Sequence, residues 1–229
     1  MHFSHSPAIW RDFPELAAGV LVLDLATAPG PDPPLAGWYD RARQRLAVAQ
    51  EGEMPEIAAW RRAFSKMGLK PTQYRCAAES LLRRFRKEND LPRFHPVVDL
   101  CNAISLTFAI PIAVFDLANV DTFLEVRYAT GDERYLAFND ENETPEKREV
   151  VFCDAAGNAH SRRWTFRQSK KSVMAAGTNR ALVVAEALHT TARKDVQALV
   201  DEVAQTISGE WGTPTHRAVL SEQTPRLEF

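Results

Sequence analysis

The stretch from His95 to Asp116 constrains the fold most, because it leaves the backbone few choices. Pro96 sets a φ suited to the first turn of a helix, and Val97, Leu100, Cys101, Ile104 and Phe108 then recur at helical spacing. Such a helix belongs in a core. At 100° per residue, Asp99, Asn102 and Ser105 fall within roughly 120° of one another, a polar stripe along an otherwise oily cylinder. Either Asp99 caps the first turn while Asn102 and Ser105 bond to backbone or water, or the stripe lines a pocket. Pro111 is expected to stop the helix, and Ile112 to Phe115 to follow as a short buried strand ending at Asp116.

The order Val97-Val98-Asp99, Asn102, a helical run, then Pro111 and Phe115-Asp116 resembles the B3/B4 editing module of the phenylalanyl-tRNA synthetase β chain, and the free-standing proteins made of that module alone. The resemblance is strongest over Leu91 to Asp116. It continues to about His189, through Gly131-Asp132-Glu133 and Gly177-Thr178-Asn179. It implies a protein that holds the acceptor end of tRNA and hydrolyses a misplaced amino-acid ester. The alternative is a module that kept the fold and pocket without the catalysis, binding tRNA or a small amino-acid-like ligand.

In that resemblance Asn102 takes the position of the module's asparagine, Cys101 stands where the synthetase has threonine, and Ala113 where it has a histidine that positions water. Without that imidazole, hydrolysis has two routes: a neighbouring ribose hydroxyl assists, or a polar residue such as His95 holds the water. Thr178 and Asn179 resemble a Thr-Asn pair before the specificity strand, and Glu186 a glutamate that reads a substrate hydroxyl. The expected catalytic set is therefore Asn102, Asp99 and His95. Cys101, Ser105, Ala113, Thr178, Asn179 and Glu186 are the expected substrate contacts.

Each of these has a plainer reading. Cys101 on an apolar helix face serves as a small hydrophobe unless something stabilises its thiolate. His95 before Pro96 serves at a helix start, and Glu186 faces solvent or pairs with an arginine. His2 and His5 lack an accompanying carboxylate pattern, so neither a metal centre nor a cofactor is expected.

A net charge of -2 gives no global attraction to nucleic acid, so that case must come from clustering. From Arg61 to Arg93 ten basic residues face three acids, and Ser161 to Arg180 carries six basic residues and no acid. Within the second tract Arg163, Trp164, Arg167, Lys170 and Lys171 interleave cations with an aromatic, a pattern suited to an unstacked RNA end. Arg83 and Arg84 are the expected RNA contacts of the first tract. The plainer reading of 163–167 is a strand with Trp164 and Phe166 on one face and the arginines on the other. Three widely spaced cysteines argue against a disulfide framework, and no apolar run approaches a membrane span, so a reduced, cytosolic protein that engages no membrane is expected.

Along the chain, residues 19–25 read as a strand and Pro29 to Pro34 as a rigid connector. Helices are expected over 36–50, 55–67 and 73–87, then a hairpin over 123–138 turning at Gly131. Strands at 150–152, 163–167 and 181–188 follow, and an amphipathic helix over 193–208 closes the chain. Helices flanking a run of strands argue an α+β fold with a mostly antiparallel, barrel-like sheet. One domain is expected over 1–208: a helical layer at about 36–90, the core motif at 95–116, a strand-rich part at 117–189 and the closing helix. An irregular tail is expected over 209–229.

Overall fold

The computed structural model of the chain describes residues 1–25 and 30–229, so Pro29 of the expected connector lies outside the described residues. In chain order the elements are β1 (His2–His5), α1 (Pro7–Asp12), β2 (Ala17–Leu25), α2 (Ala36–Val48), α3 (Pro55–Lys66), α4 (Ala77–Glu88), α5 (Pro96–Phe108) and β3 (Ile112–Asp116). There follow β4 (Phe123–Tyr128), β5 (Tyr135–Leu136), β6 (Asn142–Glu143), β7 (Val150–Asp154), β8 (Ala159–Arg162), β9 (Arg167–Gln168), β10 (Arg180–Ala187), α6 (Ala192–Ile207), β11 (Gly212–Leu220) and β12 (Arg226–Glu228).

The class is α+β, but the strands form open sheets and not a closed barrel. One sheet runs β11-β2-β10-β3, all antiparallel; the other runs β12-β1-β4-β7-β8-β9, with β1 parallel to β4. Register assigns the faces. Ala113 pairs with Val184 and Phe115 with Leu182, so these side chains share one face with Glu186. That face meets the six-stranded sheet, where the Phe115 and Phe152 rings lie 5.2 Å apart. Ile112 and Val114 share the opposite face with Gly19. There α6 lies so close that a Cβ on Gly19 would come within 2.6 Å of the Val196 and Val200 side chains.

Helix α5 forms over the expected residues, and Val97, Leu100, Cys101 and Ile104 are buried along it. It ends earlier than Pro111: Ala109 takes a left-handed φ of 54°, and the Ser105 hydroxyl donates to the Ile110 carbonyl at 2.6 Å. Four other expectations need correction. Helix α4 starts at Ala77, four residues after Gln73. The 123–138 hairpin does not form, because β4 is taken by β1 and β7 while β5 pairs with β6. Residues 163–166 turn instead of extending, with Arg163 and Trp164 at φ 49° and 60°. The tail is not irregular: β11 adds to β2, and β12 adds to β1. No helix among the described residues is long and apolar enough to cross a membrane.

Candidate functional site

The two faces of β3 border two different spaces. On the helix side lies a cavity of about 670 Å³ whose floor is Ile112 and Val114 and whose wall is Val98 and Asn102 of α5. Gln168 and the loop residues Val173 and Met174 close it, while Arg93, Phe94, His95 and Phe138 stand around its mouth. Between the sheets is a space of only about 70 Å³ bordered by Ala113, Phe115, Phe152, Trp164 and Glu186. Ile112 and Gln168 touch both, since β3 is an edge strand.

Asn102 is the part of the polar stripe that faces a cavity. It is half-buried, and its carboxamide has no hydrogen-bond partner among the described residues. Asp99 instead accepts the Phe94 N–H at 2.9 Å, and His95 caps the helix by accepting the Val97 N–H on Nδ1 at 3.2 Å. Together they fix the segment that carries Arg93 and Phe94 to the mouth. Burial lowers the His95 pKa, so the ring is neutral at pH 7 with Nδ1 already engaged. Ser105 is wholly consumed by the helix end. Cys101 faces the core, where burial pushes its thiol up to about 12, so it offers no thiolate near neutrality.

The remaining expected contacts lie elsewhere. Ala113 and Glu186 sit on the sheet face opposite the cavity, because side chains alternate along a strand. Glu186 is only 2% exposed; it accepts from His5 Nε2 at 2.6 Å and from Trp164 Nε1 at 2.9 Å. Thr178 supports a wall without touching the cavity: its hydroxyl donates to Asp116 at 2.8 Å and accepts the Ala175 N–H at 3.0 Å, pinning the loop that carries Val173 and Met174. Asn179 uses its backbone carbonyl to hold Leu25 and leaves its side chain in water.

The basic tracts are reorganised by carboxylates. Glu79, buried on α4, gathers Arg61 at 2.6 Å, Arg83 at 2.9 Å and Arg75 at 3.4 Å, and the guanidiniums outweigh its burial to lower its pKa. Arg84 pairs with Glu88, and Arg86 with Glu51. In the second tract Arg163 lies over the Tyr74 ring, Arg167 reaches Glu143 at 3.5 Å, and Lys170 holds Asp140 at 2.5 Å. Lys171 is exposed and makes no ion pair among the described residues. Trp164 is fully buried against Phe13 and Trp60, so the stacking role expected of it is ruled out. The two tracts nevertheless meet, since the Ala77 N–H bonds the Thr165 carbonyl at 2.8 Å.

Sequence reasoning missed Phe94, Phe138, Gln168, Val173 and Met174, and counted Arg93 only as the end of the first basic tract. One clue was present: Arg93-Phe94 is bracketed by Pro92 and Pro96, an exposed cation and ring on a stiffened connection. Among the described residues no three His, Cys, Asp or Glu side chains converge as metal ligands would. The cavity offers two carboxamides, a neutral imidazole, a guanidinium and no acid. Those groups can orient an apolar or aromatic ligand bearing polar and anionic parts.

Fold and cavity together define an α+β domain with an open cavity between a helix and the outer face of an edge strand. The B3/4 domain family model matches residues 59–205, and the chain belongs to that family. Among solved structures it is similar to the N-terminal fragment of the phenylalanyl-tRNA synthetase β-subunit from Pyrococcus horikoshii, at 13% identity and a TM-score of 0.44. That match covers 54% of this chain and 44% of the fragment, so the chain spans under half of that protein. None of the curated proteins matches the chain.

Proposed function

We propose that this B3/4 domain binds the acceptor end of a tRNA and takes the amino-acid-like group at that end into the cavity beside Asn102. The observation that carries the reading is the cavity itself: about 670 Å³, with an unpartnered carboxamide inside, Arg93 at its mouth and no acidic side chain lining it. Arg93 at the mouth and the exposed Lys171, neither in an ion pair among the described residues, are the cations proposed for phosphate, with Arg83 and Arg84 contributing their exposed edges. Binding is favoured over hydrolysis because no lining group is a competent base. His95 Nδ1 accepts a backbone N–H, and the Cys101 thiol is protonated in the core.

Hydrolysis of a misacylated ester is the second reading, and the free Asn102 carboxamide favours it. That amide can position a water while a ribose hydroxyl assists, and an aminoacyl ester needs little more than positioning. One experiment separates the two. Purified protein is titrated with uncharged tRNA at increasing salt, and incubated with a panel of mischarged tRNAs while deacylation is followed. The expected result is binding that weakens steeply with salt, without accelerated deacylation. Acceleration that Asn102→Ala abolishes would establish the second reading, and absence of any tRNA binding would reject both.

A further inference from the structure

We propose that Phe94 and Phe138 form a stacking platform for an unpaired nucleobase at the end of a single RNA strand, with Arg93 and Lys171 taking the neighbouring phosphates. This deepens the reading above and rests on it. Among the described residues four large hydrophobic side chains are conspicuously exposed, and the two aromatic ones are Phe94 at 73% and Phe138 at 62%. Both stand at the mouth of the same cavity. A phenylalanine left in water forgoes about 1.5–3 kcal/mol of burial, so two such rings converging from segments over forty residues apart are a surface waiting to be covered.

Their backbones are fixed, which lets the rings serve as a platform and not as loose covers. Phe94 sits between Pro92 and Pro96 with its N–H held by Asp99 at 2.9 Å. Phe138 lies in a turn closed by the Ala137 N–H on the Glu141 carbonyl at 2.9 Å. The surroundings select the occupant. Arg93 makes no ion pair among the described residues and lines the mouth; Lys171 is likewise exposed and unpaired, two residues before the wall residue Val173. An apolar peptide would gain nothing from these cations. An unpaired RNA terminus alternates π-faces with phosphates and so meets both the rings and the charges.

The test uses the full chain and a short, fluorescently labelled single-stranded RNA ending in an unpaired adenosine, measured by anisotropy alongside whole tRNA. Phe94→Leu and Phe138→Leu keep the apolar bulk but remove the π-face. Each should weaken RNA binding roughly 5- to 100-fold, while Phe94→Tyr and Phe138→Tyr bind as the wild type does. Replacing the terminal nucleotide by an abasic one should cause a similar loss with the unaltered protein. Because both rings are exposed, thermal unfolding of the variants should match the wild type, which separates stacking from misfolding. If the leucine variants or the abasic RNA bind undiminished, the platform is wrong and tRNA-end binding stands. If the unaltered protein binds neither RNA, the reading beneath it falls too.

Discussion

The two spaces on either side of β3 are built to opposite specifications. Between the sheets, about 70 Å³ remains around Trp164, whose ring packs on Phe13 and Trp60 and whose N–H is taken by Glu186. On the helix side about 670 Å³ stays open, a carboxamide lacks a partner and two phenylalanine rings stand in water. The first is small and its Glu186 carboxylate is bonded to His5 and Trp164; the second is far larger and its Asn102 carboxamide has no partner among the described residues. The contrast separates polar residues bonded within the protein from those that are not. Glu186, His5 and Trp164 are of the first kind and Asn102 of the second.

The strongest way to break this contrast is Trp164→Ala. Removing a fully buried tryptophan leaves a cavity and strips Glu186 of one donor, for an expected loss of about 3–5 kcal/mol in a urea melt. Relief of the left-handed backbone at Trp164 is too small to offset that, since alanine at φ 60° is strained as well. A loss below about 1 kcal/mol would mean that the space between the sheets is looser than its packing indicates.

Glu133 sharpens the same point with charge. It lies in the loop after β4, where burial pushes its pKa up. The N–H groups of Thr130 and Gly131, with Arg127 at 2.6 Å, outweigh burial and bring it down to about 2. A depressed carboxylate stabilises the fold fully above its unfolded pKa, near 4.5, and loses that contribution as pH falls towards about 2. Glu133→Gln should therefore be less stable than the wild type at pH 7, by about 1–3 kcal/mol. The gap should close between pH 4.5 and 2, measured as denaturation midpoints across that range. A gap that stays constant would place the stabilisation in shape and not in charge.

How far this was legible in the chain follows the range of the interactions. Helices α5 and α6 could be read because their periods are local: Val97, Leu100 and Ile104, and Val196, Leu199 and Val203, are buried where the spacing puts them. Residues 163–167 misled for the same reason, since alternating cations and aromatics imitate a strand while nothing local marks two successive left-handed residues. The tail could not be read because β11 is polar, carries Pro214 beside a bulge and owes its form to pairing with β2 nearly two hundred residues earlier. The site was half legible. Asn102 followed from helical spacing, but its cavity is completed by Phe138, Gln168 and Met174 from distant loops. The linear resemblance also merged it with Ala113 and Glu186, which strand alternation turns the other way.

The smallest expected effect is the most diagnostic. Asn102→Ala removes a half-buried carboxamide that bonds to nothing among the described residues, so no protein donor or acceptor is orphaned and no packed volume is vacated. Its unfolding free energy should change by less than about 0.5 kcal/mol, the range of substitutions that touch no structural feature. RNA or amino-acid-like ligands that use the cavity should nevertheless bind several-fold more weakly, because the amide's hydrogen bonds are made only to them. A large loss of stability in Asn102→Ala would move this residue to the same class as Glu186 and leave the open cavity without a polar group reserved for a ligand.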